Sequence, residues 1–167
     1  MQSEQLLLGD WKIDKIVEAA GQDFNEDGSH LQLMDMLNEV PVTVFSFVDC
    51  PWCLLAKKLL QNEHHGILQI IELEDLGRKG KQLRASIALS TGRTSMPAIF
   101  INNKSIGGYT DGFGETTVSN SKDEESISDG FTYVPPIEKD LRLLGSPGLA
   151  ALHESGELAA LLRDAQR

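Results

Sequence analysis

Val42-Thr43-Val44-Phe45-Ser46-Phe47-Val48-Asp49-Cys50-Pro51-Trp52-Cys53 is the stretch whose reading decides the fold. Val42 to Phe47 is apolar and rich in β-branched and aromatic residues, and reads as a strand. From Leu54 to Leu60 the period changes to that of a helix. Leu55, Leu59 and Leu60 share one stripe, with Lys57 and Lys58 off it as solvated residues. The only two cysteines of the chain therefore fall where a strand gives way to a helix. Cys50 lands at the helix N-terminus, where free N–H groups and the helix dipole stabilise an anion. A thiolate is the form that nucleophilic sulfur chemistry needs. The plainer alternative is a buried, inert thiol.

Outward from this junction, strands and helices alternate. His64-His65-Gly66 makes a turn with both histidines exposed, and Ile67 to Leu73 reads as a second buried strand. Gly77 to Gly80 is basic and turn-like, and Gln82 to Ser90 is a helix ending near Gly92. Ala98 to Ile101 and Lys104 to Ile106 are strands joined at Asn102-Asn103, a tight hairpin signal because Asn tolerates positive φ. Upstream, Asp10 caps a helix from Trp11 to Ala20, with Ile13, Ile16 and Val17 apolar. Gly21 to Ser29 is a polar break, and Leu31 to Leu37 is a short helix before Pro41. Residues 1–40 are thus a helical extension, one that could pack on the sheet, ahead of a domain spanning 41–167. Downstream, residues 112–147 form an inserted loop. Glu115 to Gly130 is polar and expected to be mobile, and Ile137 to Leu144 could hold a short helix. Ser146-Pro147 suits an N-cap and first helical position, and Leu149 to Leu162 closes the chain as helix, with Gly156 inside it. The plan is α/β, a four-stranded mixed sheet flanked by helices, of thioredoxin-like type.

Composition narrows the function. A formal net charge of −10 argues against nucleic acid and anionic membranes as partners. No apolar run approaches the roughly 18 residues that a membrane span needs. Met1 to Glu4 lacks a basic region of signal type, so a cytoplasmic location is expected, with an organellar stroma or matrix left open. Two cysteines are too few for a disulfide scaffold, which favours redox chemistry. The four histidines do not form a zinc pattern, and no metal site is expected.

Four ordered stretches give the chain its family resemblance. They are Val44-Phe45-Ser46 with Cys50-Pro51-Trp52-Cys53, Thr91 to Asn102 around Met96-Pro97, Ile106-Gly107-Gly108-Tyr109-Thr110-Asp111, and Leu152 to Leu158. Together they resemble a glutaredoxin of the dithiol type. The resemblance implies reduction of protein–glutathione mixed disulfides and protein disulfides, with glutathione as co-substrate. Cys50 would be the nucleophile and Cys53 the resolving thiol, or else a passive core residue. Trp52 would lie over the glutathione groove, or simply on the surface. Pro97 would be cis, letting Ser95 and Met96 present extended backbone to glutathione; the plainer alternative is a trans proline opening a strand. Gly107 and Gly108 would allow close backbone approach, Thr110 and Asp111 would receive the γ-glutamyl group, and Arg84 the glycine carboxylate. His153 would be structural.

Three departures accompany the resemblance. Phe47 and Val48 stand where the family usually has a lysine, Asp49 places a negative charge beside Cys50, and residues 112–147 separate Asp111 from the last helix. These leave two further readings. One is a carrier of a [2Fe–2S] cluster, which Pro51 disfavours. The other is a weakly catalytic regulatory module whose acidic loop selects partners, against the plainer reading of a tolerated surface insertion.

Overall fold

The computed structural model describes residues 2–115 and 133–165. Four strands form one mixed sheet in the order β2-β1-β3-β4. They are β1 (Val42–Ser46), β2 (Leu68–Glu72), β3 (Ala98–Ile101) and β4 (Lys104–Gly107). β1 runs parallel to β2, with Val42 opposite Leu68, and antiparallel to β3, with Phe45 opposite Ala98. The β3–β4 hairpin turns through Asn102 and Asn103 at φ 52° and 69°, as their side chains allow. β2 is an edge strand and only half-buried, so its partly polar pattern Leu-Gln-Ile-Ile-Glu fits.

Six helices complete the described chain: α1 (Gln2–Ala19), α2 (Glu26–Glu39), α3 (Pro51–Glu63), α4 (Arg78–Thr91), α5 (Leu149–Ser155) and α6 (Glu157–Ala165). On one face of the sheet, Phe45 and Phe100 meet edge to face at 5.7 Å and pack with Leu33 and Leu37 of α2 and Leu83 and Ile87 of α4. On the other face, Val42, Val44 and Ile99 pack with Ala56 and Leu60 of α3 and with Leu149, Leu158 and Leu162 of α5 and α6. α1 forms a third layer. Its Ile13 and Ile16, with Ala20 just beyond its end, close on Ala85 and Ala88 of α4, whose small side chains let the two helices approach. Of the two N-terminal helices, α2 joins the sheet's core and α1 packs on α4 instead.

Several boundaries differ from the sequence reading, each for a local or tertiary reason. α1 already runs from Gln2, so Asp10 lies inside it rather than at its start. The polar break ends at Asn25, whose side chain accepts the Gly28 N–H at 3.0 Å and starts α2 before Ser29. Gly77 (φ 57°) is the only turn residue of its basic stretch, since α4 begins at Arg78. On α3 the buried positions are Cys53, Ala56 and Leu60, while Leu55 is exposed. His64 is buried, with its ring nitrogen 3.2 Å from the Ile67 carbonyl; only His65 is exposed. The final helix breaks at Gly156 (φ 86°) into α5 and α6.

The expected loop at 115–130 falls almost wholly outside the described residues. Beyond it, one 3-10 turn (Ile137–Lys139) replaces the expected helix. Buried Leu141 is then drawn to the open edge of β4, where it accepts the Ser105 N–H at 2.7 Å and donates its own to Ser90 at 3.0 Å. Pairing with a free sheet edge outweighs a short helix there. Ser146 caps no helix. Its hydroxyl donates to the Ile106 carbonyl at 2.7 Å, and α5 starts after Gly148.

Candidate functional site

Cys50 is the N-cap of α3, with Pro51 in the first turn, where a missing N–H costs nothing. Its sulfur accepts the Cys53 N–H at 3.2 Å, so an unpaired amide of the helix end points at it. Its thiol also lies 3.7 Å from the Met96 carbonyl oxygen. Both cysteines are free; Cys50 is half-buried and Cys53 wholly buried. Burial, with the Cys50 sulfur beside it, pushes the Cys53 thiol up to about 12, against smaller opposing effects of the Phe47 backbone and Lys57. The two sulfurs thus differ in kind: one faces the surface at a helix end, and the other stays a neutral thiol in the core. Asp49 is exposed, so water and salt screen its charge.

Opposite Cys50, the Met96–Pro97 bond is cis and both residues are buried. The sequence reading did not single out Arg93, which ties this ledge to the next turn. It is buried, donates from Nε to the Pro97 carbonyl at 3.0 Å, and pairs with Asp111 at 2.7 and 3.4 Å. Gly108 makes room for it, since a Cβ there would lie 1.9 Å from the guanidinium and displace it. Residues 112–147 do not separate Asp111 from the last helix in space. The Leu149 and Ala150 N–H groups donate to the Gly108 and Tyr109 carbonyls at 2.9 and 2.8 Å. The segment leaves and returns as a stem, through Phe113 to Ser146 and Gly145 to Gly114, each at 2.7 Å. Thr110 is exposed on this turn, and Asp111 keeps much of its surface open.

Arg84 of α4 lies at the other end of the ledge. It donates to the Thr94 carbonyl at 2.8 Å, and its guanidinium carbon sits 5.1 Å from the centre of the Phe47 ring. Burial lowers its pKa, and its Nε is buried without a hydrogen-bond partner. A groove of about 580 Å³ runs beside Arg84, exposed Ser95 and Met96, and α1 closes its outer wall. Trp52 is half-exposed and tilts against Tyr109 at 5.9 Å.

The Cys50 sulfur thus meets the Met96 carbonyl beside Pro97, and Met96 lines the groove that Ser95 and Arg84 share. Gly108, Thr110 and Asp111 stand at one side of the Met96–Pro97 ledge, joined through Arg93. Two further contacts brace the junction. Glu74 accepts the Val48 N–H at 2.6 Å ahead of Cys50. Lys57, expected to be solvated, instead pairs with Glu72 at 2.7 Å, and Ser46 donates to the same carboxyl group. Burial works to raise the Glu72 pKa, but hydrogen bonds from Lys57 and Ser46 prevail and hold it below the usual carboxylate range. A lysine one turn after Cys53 and a glutamate ending β2 are the sequence signals that could have suggested this pair. Among the described residues no three His, Cys, Asp or Glu side chains are grouped to hold a metal ion. No described helix is long and apolar enough to cross a membrane.

Comparison with known proteins converges on one family. The Glutaredoxin family model matches residues 42–106. The chain is 34% identical over 80 residues to human "Glutaredoxin-2, mitochondrial", covering 48% of each chain, so it spans about half the length of that relative. It is 33% identical over 94 residues to "Glutaredoxin-C4, chloroplastic" of Oryza sativa subsp. japonica, covering 54% of this chain and 69% of that one. The structure superposes on glutaredoxin C1 of Populus tremula x tremuloides with a TM-score of 0.56 and 25% identity, over 84% of this chain and 91% of that one. Sequence, fold and the shared span of the rice relative agree: the chain belongs to the glutaredoxin family.

Proposed function

We propose that this chain is a glutathione-dependent thiol–disulfide oxidoreductase acting on protein–glutathione mixed disulfides. The observation that carries the reading is the position of the Cys50 sulfur. It is half-exposed at a helix N-cap, accepts an amide N–H, and lies 3.7 Å from the Met96 carbonyl beside cis-Pro97. The Cys50 thiolate attacks the glutathionyl sulfur of the mixed disulfide. A Cys50–glutathione disulfide forms, and the protein thiolate leaves and takes a proton from solvent. The thiolate of a second glutathione then attacks the glutathionyl sulfur on Cys50. Glutathione disulfide leaves and the Cys50 thiolate returns, so one glutathione is oxidised for each protein thiol freed.

In this cycle, Met96 offers backbone to the bound tripeptide, Arg84 faces its glycine end, and Trp52, Gly108, Thr110 and Asp111 border its γ-glutamyl end. Arg93 positions Asp111 and the ledge together. Cys53 serves protein disulfides, where it attacks the Cys50 sulfur to close an internal disulfide and release the second protein thiol.

Release of thiol from a glutathionylated peptide tests both roles. Cys50→Ser is expected to lose all activity. Cys53→Ser is expected to keep deglutathionylation and lose reduction of protein disulfides. Turnover by Cys50→Ser would remove the proposal.

A further inference from the structure

The wall that α1 contributes to the groove is chemically specific. α1 is anchored by Ile13 and Ile16 on α4. That anchoring aims Trp11, Lys12 and Lys15 at the groove beside Arg84 and Met96, and among the described residues no acidic side chain lines it. Three cations around one groove stand out in a chain whose formal net charge is −10. Lys15 pairs only loosely with Glu18, at 3.6 Å and with both side chains largely exposed, and among the described residues Lys12 has no acidic partner within 4 Å. Arg84 is fixed by Thr94 and Phe47 and partly buried, which suits it to orient an anion at the inner wall. Lys12 and Lys15 sit at the open rim, where flexible cations can close over a bound group.

Resting on the glutathione reading above, we infer that Lys12 and Lys15 of α1 receive the glycine carboxylate of the glutathionyl group bound at Cys50. The site thereby takes a binding determinant from outside residues 42–106, the span that matches the family model. The groove adjoins Met96, whose carbonyl lies beside the Cys50 sulfur, so a tripeptide with its cysteine there reaches the groove with one terminus. Only its glycine end carries an anion without a neighbouring ammonium. A rim of lysines therefore favours that end and sets the direction of binding.

The test uses the full chain and two peptide mixed disulfides, one carrying glutathione and one carrying its glycine ethyl ester. The wild type is expected to prefer the free carboxylate by about three- to tenfold in kcat/KM, carried by KM, as suits two partly exposed ion pairs. Lys12→Gln with Lys15→Gln is expected to cut the preference to the part that Arg84 holds, by slowing only the free-acid substrate; an undiminished preference would assign the carboxylate to Arg84 alone and overturn the lysine assignment. Lys12→Arg with Lys15→Arg is expected to restore it. Both side chains are exposed and the anchoring isoleucines are untouched, so α1 keeps its place. Equal use of both substrates by the wild type, or equal losses on both in the glutamine variant, would overturn the lysine assignment and leave the glutathione reading standing. A wild type inert toward both would take away the glutathione reading, and this inference with it.

Discussion

Two stretches flank the matched core, and they serve it in opposite ways. α1 adds side chains to the groove and leaves the sheet alone. Its apolar stripe meets α4, while Trp11, Lys12 and Lys15 form a wall beside Met96. The returning part of residues 112–147 adds structure. Leu141 is buried in the cluster that holds Phe45 and Phe100, pairs with the edge of β4, and is followed by the stem that seats α5 against Gly108 and Tyr109. Chain added beside the span that matches the family can therefore act as ligand surface or as scaffold. What separates the two is where the apolar residues go: into the sheet's core, or onto a helix that already covers it.

Point substitutions can break this comparison. The largest stability effect is expected at Leu141→Ala, which empties a buried position and should cost about 2–4 kcal/mol in chemical denaturation. KM for a glutathionylated peptide should stay near the wild-type value. A large rise in KM with intact stability would make the returning segment a ligand surface after all. A second effect lies in the sheet's core, where Cys53 packs with Leu141 in one cluster. The folded chain keeps Cys53 protonated up to about 12, whereas an unperturbed thiol releases its proton near 9. Between these values the unfolded state binds fewer protons, so the contribution is complete below about pH 9 and falls as pH rises toward 12. Cys53→Ala should flatten the alkaline decline of stability measured from pH 8 to 11; an unchanged slope would assign that decline to other groups.

The smallest change is expected at Trp11→Ala. Trp11 is half-exposed, so stability should move by less than about 1 kcal/mol. KM for the mixed disulfide should rise about two- to fivefold through loss of an aromatic wall. A variant that unfolds early and binds normally would reverse the roles given to the two flanks.

Much of the site was legible in local sequence. The strand ending before Cys50, the helix after it, and the positive φ of Asn102 and Asn103 follow from neighbours within a few residues, whereas the cis Met96-Pro97 ledge was legible only through the family resemblance. What escaped was long-range. Arg93 reads as one more loop cation until Asp111 and the Pro97 carbonyl are brought to it. Lys57 looks solvated until Glu72 arrives from β2. His64 looks like a turn residue until the fold buries it. Leu141 reads as helical until the free edge of β4 offers it hydrogen bonds.

Sequence by itself determined the order of strands and helices, the helix end that holds Cys50, and the chemistry a lone pair of cysteines can do. These depend on backbone preference and side-chain period, which are short-ranged. Tertiary structure alone decided which charges find partners, that α5 returns to Gly108 across residues 112–147, and that α1 walls the groove with lysines. Periodicity shows that a helix has an apolar face; only packing selects the surface that covers it, and so aims the polar residues beside that face.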